Sequence, residues 1–152
     1  MKDVAVSLKH VDVKTAHTLQ TRDGYTYIDV RSVPEYDAGH PKDAHNVPLL
    51  HLESATRRMI PNPLFLAVIQ ANYPPDAKLL IGCQMGGRST QAGQLLVSAG
   101  YQDVANVQGG YGGAQDRRTG EQLAEGWVDA GLPVEQEPPP GGKYEDLKQK
   151  TG

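Results

Sequence analysis

The chain contains a single cysteine, Cys83, within IGCQMGGRST, residues 81–90. An apolar run precedes it, and two glycines, an arginine and two hydroxyl residues follow. Read as a buried strand and then a helix from about Arg88, this stretch puts the thiol at a strand end, facing a turn. Gly86 and Gly87 let that turn close sharply, so that successive backbone N–H groups converge as an anion-binding nest. The helix start adds the positive end of its dipole, and Arg88 adds a planar, permanently charged fork. All three favour a thiolate over a thiol; cysteines in such surroundings ionise at about 3.5–7.5, against about 8.5 when unperturbed. The same nest suits an oxyanion group on a substrate, so nucleophile and anion receptor would be one loop. A lone cysteine without such neighbours is more often a packing residue. The Gly-Gly-Arg-Ser that follows turns the balance toward chemistry.

The same letters nearly spell a phosphate-binding loop. GCQMGGRS, residues 82–89, is one substitution from G-x-x-x-x-G-K-[ST], with Arg88 where lysine belongs. The lysine that reaches the terminal phosphates is absent, and no later apolar strand ends in a metal-holding aspartate. The match is therefore taken as coincidence.

The elements that must position Cys83 read as alternating strands and helices. YTYIDV (25–30) and KLLIGC (78–83) are short apolar runs bounded by turn residues; HNVPL (45–49), DVANVQ (103–108) and KHVDV (9–13) are shorter strands. Helical patterns fall at 14–22, at 62–72 with Asn62 as N-cap and Pro63 in the first helical position, and at 88–100. In the last, Ala92, Leu95, Leu96 and Ala99 form one apolar stripe and Gly100 supplies the stop. Such alternation predicts an α/β fold: five strands in a mostly parallel sheet, with helices on both faces. Residues 109–126 are glycine-rich and then polar, expected as an irregular turn, an exposed loop and the start of a last helix reaching Trp127. The chain is expected to divide into a domain over 1–134 and a Pro/Gly/Lys-rich tail over 135–152, extended or disordered.

Composition narrows the function classes. Its 152 residues suffice for one domain with a real core. A formal net charge of −3 argues against a generally basic nucleic-acid surface. The longest apolar run, LFLAVI (64–69), is far short of the roughly 20 residues of a membrane span. The first residues carry no apolar stretch of signal-peptide length, and one cysteine cannot close an internal disulfide. The expected setting is a reducing, cytoplasmic one.

With these pieces in order, the chain resembles a single-domain rhodanese, of the sulfurtransferase family. The markers are YIDVRSVPEYDAGH (27–40), AHNVPL (44–49), CQMGGRS (83–89), LLVSAGYQDVANVQGGY (95–111) and GWVDAGLPV (126–134). The resemblance implies a five-stranded parallel sheet between helices. It implies that Cys83 takes a sulfane sulfur from an anionic donor, thiosulfate or a persulfide, and passes it to a thiophilic acceptor: cyanide in assay, cellular thiols or a thiol-bearing protein in the cell. Cys83 is then the nucleophile, and the backbone of Gln84, Met85, Gly86, Gly87 and Arg88 cradles the persulfide, with Arg88 and Ser89 orienting the loop. From Cys83 to Arg88 is six residues, the length associated with sulfur transfer; related phosphatases and arsenate reductases use one residue more. A non-catalytic interaction module is the rival reading, disfavoured by the retained cysteine, loop length and Arg88. The resemblance implies no cofactor. The five histidines show no metal spacing. With no second thiol, turnover needs an external acceptor.

Asp29, Arg31 and Glu35 match the family's DVR…E…GH stretch and are expected as structural support, an arginine–glutamate pair fixing the turn. His40 ends the same stretch and is kept as a candidate pocket residue. Three features depart from the family pattern. Gln84 stands where thiosulfate users commonly carry a basic residue, which removes one positive charge. Pro41-Lys42-Asp43 replaces the usual Ile-Pro-Gly turn. The stretch between GGY and GW, 113–126, is longer than usual and carries Arg117 and Arg118. Charged loop residues are usually solvated, which is the expectation for both. The alternative is that the insertion folds over the loop and that one of them restores the charge missing at Gln84.

Overall fold

Leu79 and Ile81 point to one side of their strand and Leu80 to the other, and all three are fully buried. A strand buried on both sides needs cover on both, and the rest of the chain supplies it. The structure, a computed structural model, describes residues 7–151. The first six residues of the domain expected over 1–134, with the start of the leader reading, lie outside the described residues, as does position 152.

In chain order the elements are β1 (Lys9–Val11), α1 (Val13–Arg22), β2 (Thr26–Asp29), α2 (Val33–Ala38), β3 (His40–Pro41), β4 (His45–Asn46), β5 (Leu50–Leu52), β6 (Met59–Pro61), α3 (Phe65–Asn72) and β7 (Lys78–Gly82). Then come α4 (Gly87–Ser98), β8 (Asp103–Val107), β9 (Ala114–Gln115), β10 (Gln122–Ala124), β11 (Val134–Glu135) and α5 (Tyr144–Lys148). The central sheet has five strands in the order β1-β8-β7-β2-β4, and every pairing in it is parallel. On one face Leu79, Ile81, Ile28 and Val104 pack with Phe65, Val68 and Ile69 of α3, Ala92 and Leu96 of α4, and α5. On the other, Tyr27, Leu80 and Ala105 pack with Val13 and Ala16 of α1, Tyr36 of α2 and Trp127. No helix among the described residues is long and apolar enough to cross a membrane.

The register sets up the site. Asp29 lies opposite Gly82, and Ile81 opposite Asn106, so the chain leaves β2, β7 and β8 at one edge of the sheet. This carboxyl edge is where open parallel sheets hold their ligands. Gly82 is confined to glycine by contact: a Cβ there would stand 1.9 Å from Tyr27 Oη, on a ring that is fully buried.

Several local readings differ from the structure. The strand expected over 45–49 joins the sheet only at His45–Asn46, because Pro48 has no N–H to continue the ladder; Val47 and Leu49 still donate to the carbonyls of Asp29 and Val30. Asn62 does not cap α3. It turns the chain ahead of the helix, accepting from Leu64 N–H at 3.0 Å and donating to the Pro48 carbonyl at 2.8 Å. In α4, Leu95 is 45% exposed and Gly93 takes the buried place, since the Leu8 side chain lies against its Cα.

Two larger corrections concern the C-terminal third. Residues 113–126 contain no helix start; β9 and β10 pair antiparallel as a hairpin. Its tip is held by Asp116, whose side chain accepts from the N–H groups of Arg118 and Thr119, and by Gly120 at φ +76°. The segment has no apolar stripe to bury, so a helix there would gain nothing from packing. The tail expected to be extended or disordered is folded: β11 pairs with β3, and Tyr144 and Leu147 of α5 are buried against α3. Two apolar side chains at helical spacing suffice to dock it, and Asn72 Nδ2 ties the Leu147 carbonyl at 2.9 Å.

Candidate active site

β7 ends at Gly82 and α4 begins at Gly87, so the chain turns from strand to helix within four residues. Gly86, at φ +119°, takes the left-handed conformation that reverses the chain. This geometry turns two of the unpaired N–H groups around the start of α4 toward the cysteine. Gly86 N–H lies 3.1 Å from Cys83 Sγ and Ser89 N–H 3.3 Å. Helix-start amides carry partial positive charge and have no partner within the helix. The sulfur is their partner, and Cys83 is only 2% exposed at the base of the loop.

Ser89 is fully buried beneath the sulfur. Its Oγ is 3.3 Å from Sγ and accepts from the thiol when that is protonated. The Ser89 hydroxyl donates to Asn106 Oδ1 at 2.5 Å, and Asn106 Nδ2 reaches His10 Nδ1 at 3.1 Å. Asn106 escaped the sequence reading. Its signal was there: a polar residue within the apolar strand DVANVQ, where burial without a partner would be costly.

Arg88 sits in the first turn of α4 and makes a two-pronged pair with Glu35, Nη1–Oε1 at 2.7 Å and Nη2–Oε2 at 3.0 Å. Burial alone would raise the Glu35 carboxyl. Hydrogen bonds from Arg88 and Ser32, with the Arg88 charge, outweigh burial and hold it at about 2. Glu35 also closes the capping box of α2 with Ser32. The arginine–glutamate pair expected between Arg31 and Glu35 is thus not the one formed. Arg31 instead turns back on Asp29, with Nη2–Oδ2 at 2.8 Å and Nε–Oδ1 at 3.0 Å; both side chains are buried. The remaining face of Arg31 stacks on the Tyr111 ring, 4.3 Å from its centroid, and Nη1 donates to Gln84 Oε1 at 3.3 Å.

The loop is stitched from its far side. Tyr111 N–H donates to the Cys83 carbonyl at 2.8 Å and Gly112 N–H to the Gln84 carbonyl at 2.9 Å. Gly110 and Gly112 permit this approach, since a Cβ at either would strike the backbone or side chain of residues 83–84. A cleft of about 310 Å³ opens over the sulfur, lined by Cys83, Gln84, Met85, Gly87, Arg88 and Arg117. Arg117 is exposed, as expected of a charged loop residue, and it also stands at the mouth of this cleft. Arg118 does not line it: its backbone N–H serves the Asp116 turn and its side chain is exposed. His40 does not line it either. It is fully buried, stacked on Tyr36 with centroids 3.7 Å apart, and bonded through Nδ1 to the Tyr36 carbonyl and through Nε2 to Glu135. Its work is to pin β3 and β11 to α2.

Residues 12–116 match the family model described as the rhodanese-like domain. Thiosulfate sulfurtransferase 18 of Arabidopsis thaliana is 37% identical over 127 residues, covering 84% of this chain and 83% of that protein. Thiosulfate sulfurtransferase 16, chloroplastic, from the same plant is 37% identical over 101 residues, covering 66% and 82%. Among solved structures, Rv0390 from M. tuberculosis superposes with a TM-score of 0.66 at 24% identity, over 87% of this chain and 99% of that one.

Proposed function

The chain belongs to the rhodanese-like domain family, which includes relatives named thiosulfate sulfurtransferases, and on that premise we propose that it is a working sulfurtransferase with Cys83 as its carrier. The Cys83 thiolate attacks the outer sulfur of an anionic sulfane donor, thiosulfate or a persulfide. With thiosulfate, the sulfur–sulfur bond of the donor breaks and sulfite leaves with the bonding pair, so Cys83 holds a persulfide and the total charge is conserved. An external thiolate, or cyanide in assay, then attacks that outer sulfur and returns Cys83 as thiolate. Since the chain has one cysteine, no internal thiol intercepts the persulfide and the acceptor must come from outside.

The observation that carries the reading is the pair of N–H groups aimed at Sγ, 3.1 and 3.3 Å away, within a six-residue loop. A buried packing cysteine needs no such donors. These groups are arranged to hold negative sulfur, both the attacking thiolate and the persulfide that replaces it. The test is intact mass after incubation with thiosulfate, for wild type and Cys83→Ser. A gain of one sulfur atom in wild type alone, removed by cyanide or a thiol, is the expected result. No gain with thiosulfate, nor with glutathione persulfide, would refute catalysis and leave a binding module.

A further inference from the structure

The cationic side chains nearest the sulfur do not carry net charge into the cleft. Arg88 is matched by the Glu35 carboxylate through two hydrogen bonds. Arg31 is matched by Asp29 and covered by Tyr111. Gln84, where a base would add charge, is neutral and already tied to Arg31. What faces an incoming donor at Cys83, Gln84, Met85, Gly87 and Arg88 is therefore close to electrically neutral apart from backbone dipoles. Arg117 is the exception. Among the described residues no carboxylate lies within ion-pairing distance of it. The carboxylate beside it in sequence, Asp116, is occupied by the N–H groups of Arg118 and Thr119.

We propose that Arg117, presented by the β9–β10 hairpin, is the donor-selecting residue of this site: its guanidinium, free of any ion pair among the described residues, recognises the sulfonate end of a doubly charged, thiosulfate-class donor at the cleft mouth. The proposal rests on the sulfurtransferase reading of Cys83 and adds to it the residue that chooses the donor. The hairpin is fit for the purpose. It leaves the chain at Gly113, directly after the residues that bond the Cys83 and Gln84 carbonyls, so its position is set relative to the loop itself. Its turn is braced by Asp116, with N–H to the Glu121 carbonyl at 2.8 Å and its own carbonyl accepting from Gly120 at 2.7 Å. A planar fork carrying a fixed charge suits the terminal oxygens of a sulfonate as it suits phosphate. Because the donor's charge leaves with sulfite, the contact acts on capture and is lost once the persulfide has formed.

The test is steady-state kinetics with cyanide as acceptor and two donors, thiosulfate as the dianion and benzenethiosulfonate as the monoanion. Arg117→Ala is expected to raise the thiosulfate KM by about tenfold, the loss of one charge-assisted contact, with kcat held within about twofold. The benzenethiosulfonate KM should rise much less, and Arg117→Lys should recover part of the thiosulfate loss. Arg118→Ala, one residue along the same turn, should change neither. An unchanged thiosulfate KM in Arg117→Ala, or an equal rise for both donors, overturns the proposal. So does a wild type that takes sulfur from benzenethiosulfonate but not from thiosulfate, with the role of Cys83 intact. A wild type that takes sulfur from neither these donors nor glutathione persulfide removes the sulfurtransferase reading as well.

Discussion

Arg88 and Glu35 are 53 residues apart in the chain and meet through two hydrogen bonds, at 2.7 and 3.0 Å. The pair joins the start of α4 to the start of α2, so the helix that presents N–H groups to Cys83 is anchored to the element following β2. One carboxylate thus serves the Ser32 cap and the Cys83 loop together.

This shared carboxylate has a pH signature. Glu35 is held at about 2, below its ordinary 4.5, so the unfolded chain binds its proton first. The stability it contributes is full above about 4.5 and is lost as pH falls from there toward 2. Glu35→Gln should lower stability by about 1–3 kcal/mol at neutral pH, toward the lower end because both side chains are partly exposed. It should also flatten the dependence on pH across that window. Urea midpoints measured through the window check this; parallel curves for wild type and variant would contradict it.

Asn106 is 3% exposed and takes the hydrogen of Ser89. Asn106→Leu deprives that hydroxyl of its acceptor and should cost about 1–3 kcal/mol in denaturant unfolding. It should also slow sulfur loading of Cys83, because the freed hydroxyl turns to another acceptor beside Sγ. His10→Ala removes only the exposed end of the same chain of contacts and should stay within about 0.5 kcal/mol. Equal effects of the two substitutions would show that the Ser89 contact is not the one that matters.

Leu147 is 4% exposed although it lies five residues from the last residue of the sequence. Leu147→Ala should destabilise by about 2–5 kcal/mol, lowering the melting temperature by about 2–4 °C for each kcal/mol. The loading of Cys83 in the protein that remains folded should be unaffected, since α5 packs on α3 and not on the loop. A melting curve identical to wild type would mean the tail contributes nothing to the fold.

What could be read from the letters follows how local the determinant was. The strands ending at Asp29 and Gly82 and the loop between Cys83 and Ser89 are encoded by contiguous residues, and their order alone places them at one edge of a parallel sheet. Arg31 and Glu35 are close in sequence, which suggested a pair; the fold instead offers each another partner, Asp29 through both of its oxygens and Arg88 across the sheet edge. The tail misled through composition, because Pro138, Pro139 and Pro140 dominate a segment whose two anchoring residues are Tyr144 and Leu147. Leu95 looked buried by period, but Gly93 gives Leu8 the space that a larger side chain on that face would have filled. Arg117 could be told from Arg118 only once its segment was known to be a hairpin, because both were candidates for the charge missing at Gln84.

The two ends of that hairpin are clasped. Trp127 N–H donates to the Gly110 carbonyl at 2.8 Å and Val128 N–H to the Tyr111 carbonyl at 3.2 Å, while Gly126 lies so close to Gly113 that a Cβ would meet its nitrogen at 2.3 Å. The chain thus leaves and re-enters the body at one closed point, with Trp127 buried just beyond it. Such an excursion can change length at little entropic cost and with no rearrangement of the sheet. The residues from 114 to 125 thus form a cassette on a separate chassis, and exchanging them would rebuild the side of the cleft that carries Arg117 while leaving the thiol, its amides and the core untouched.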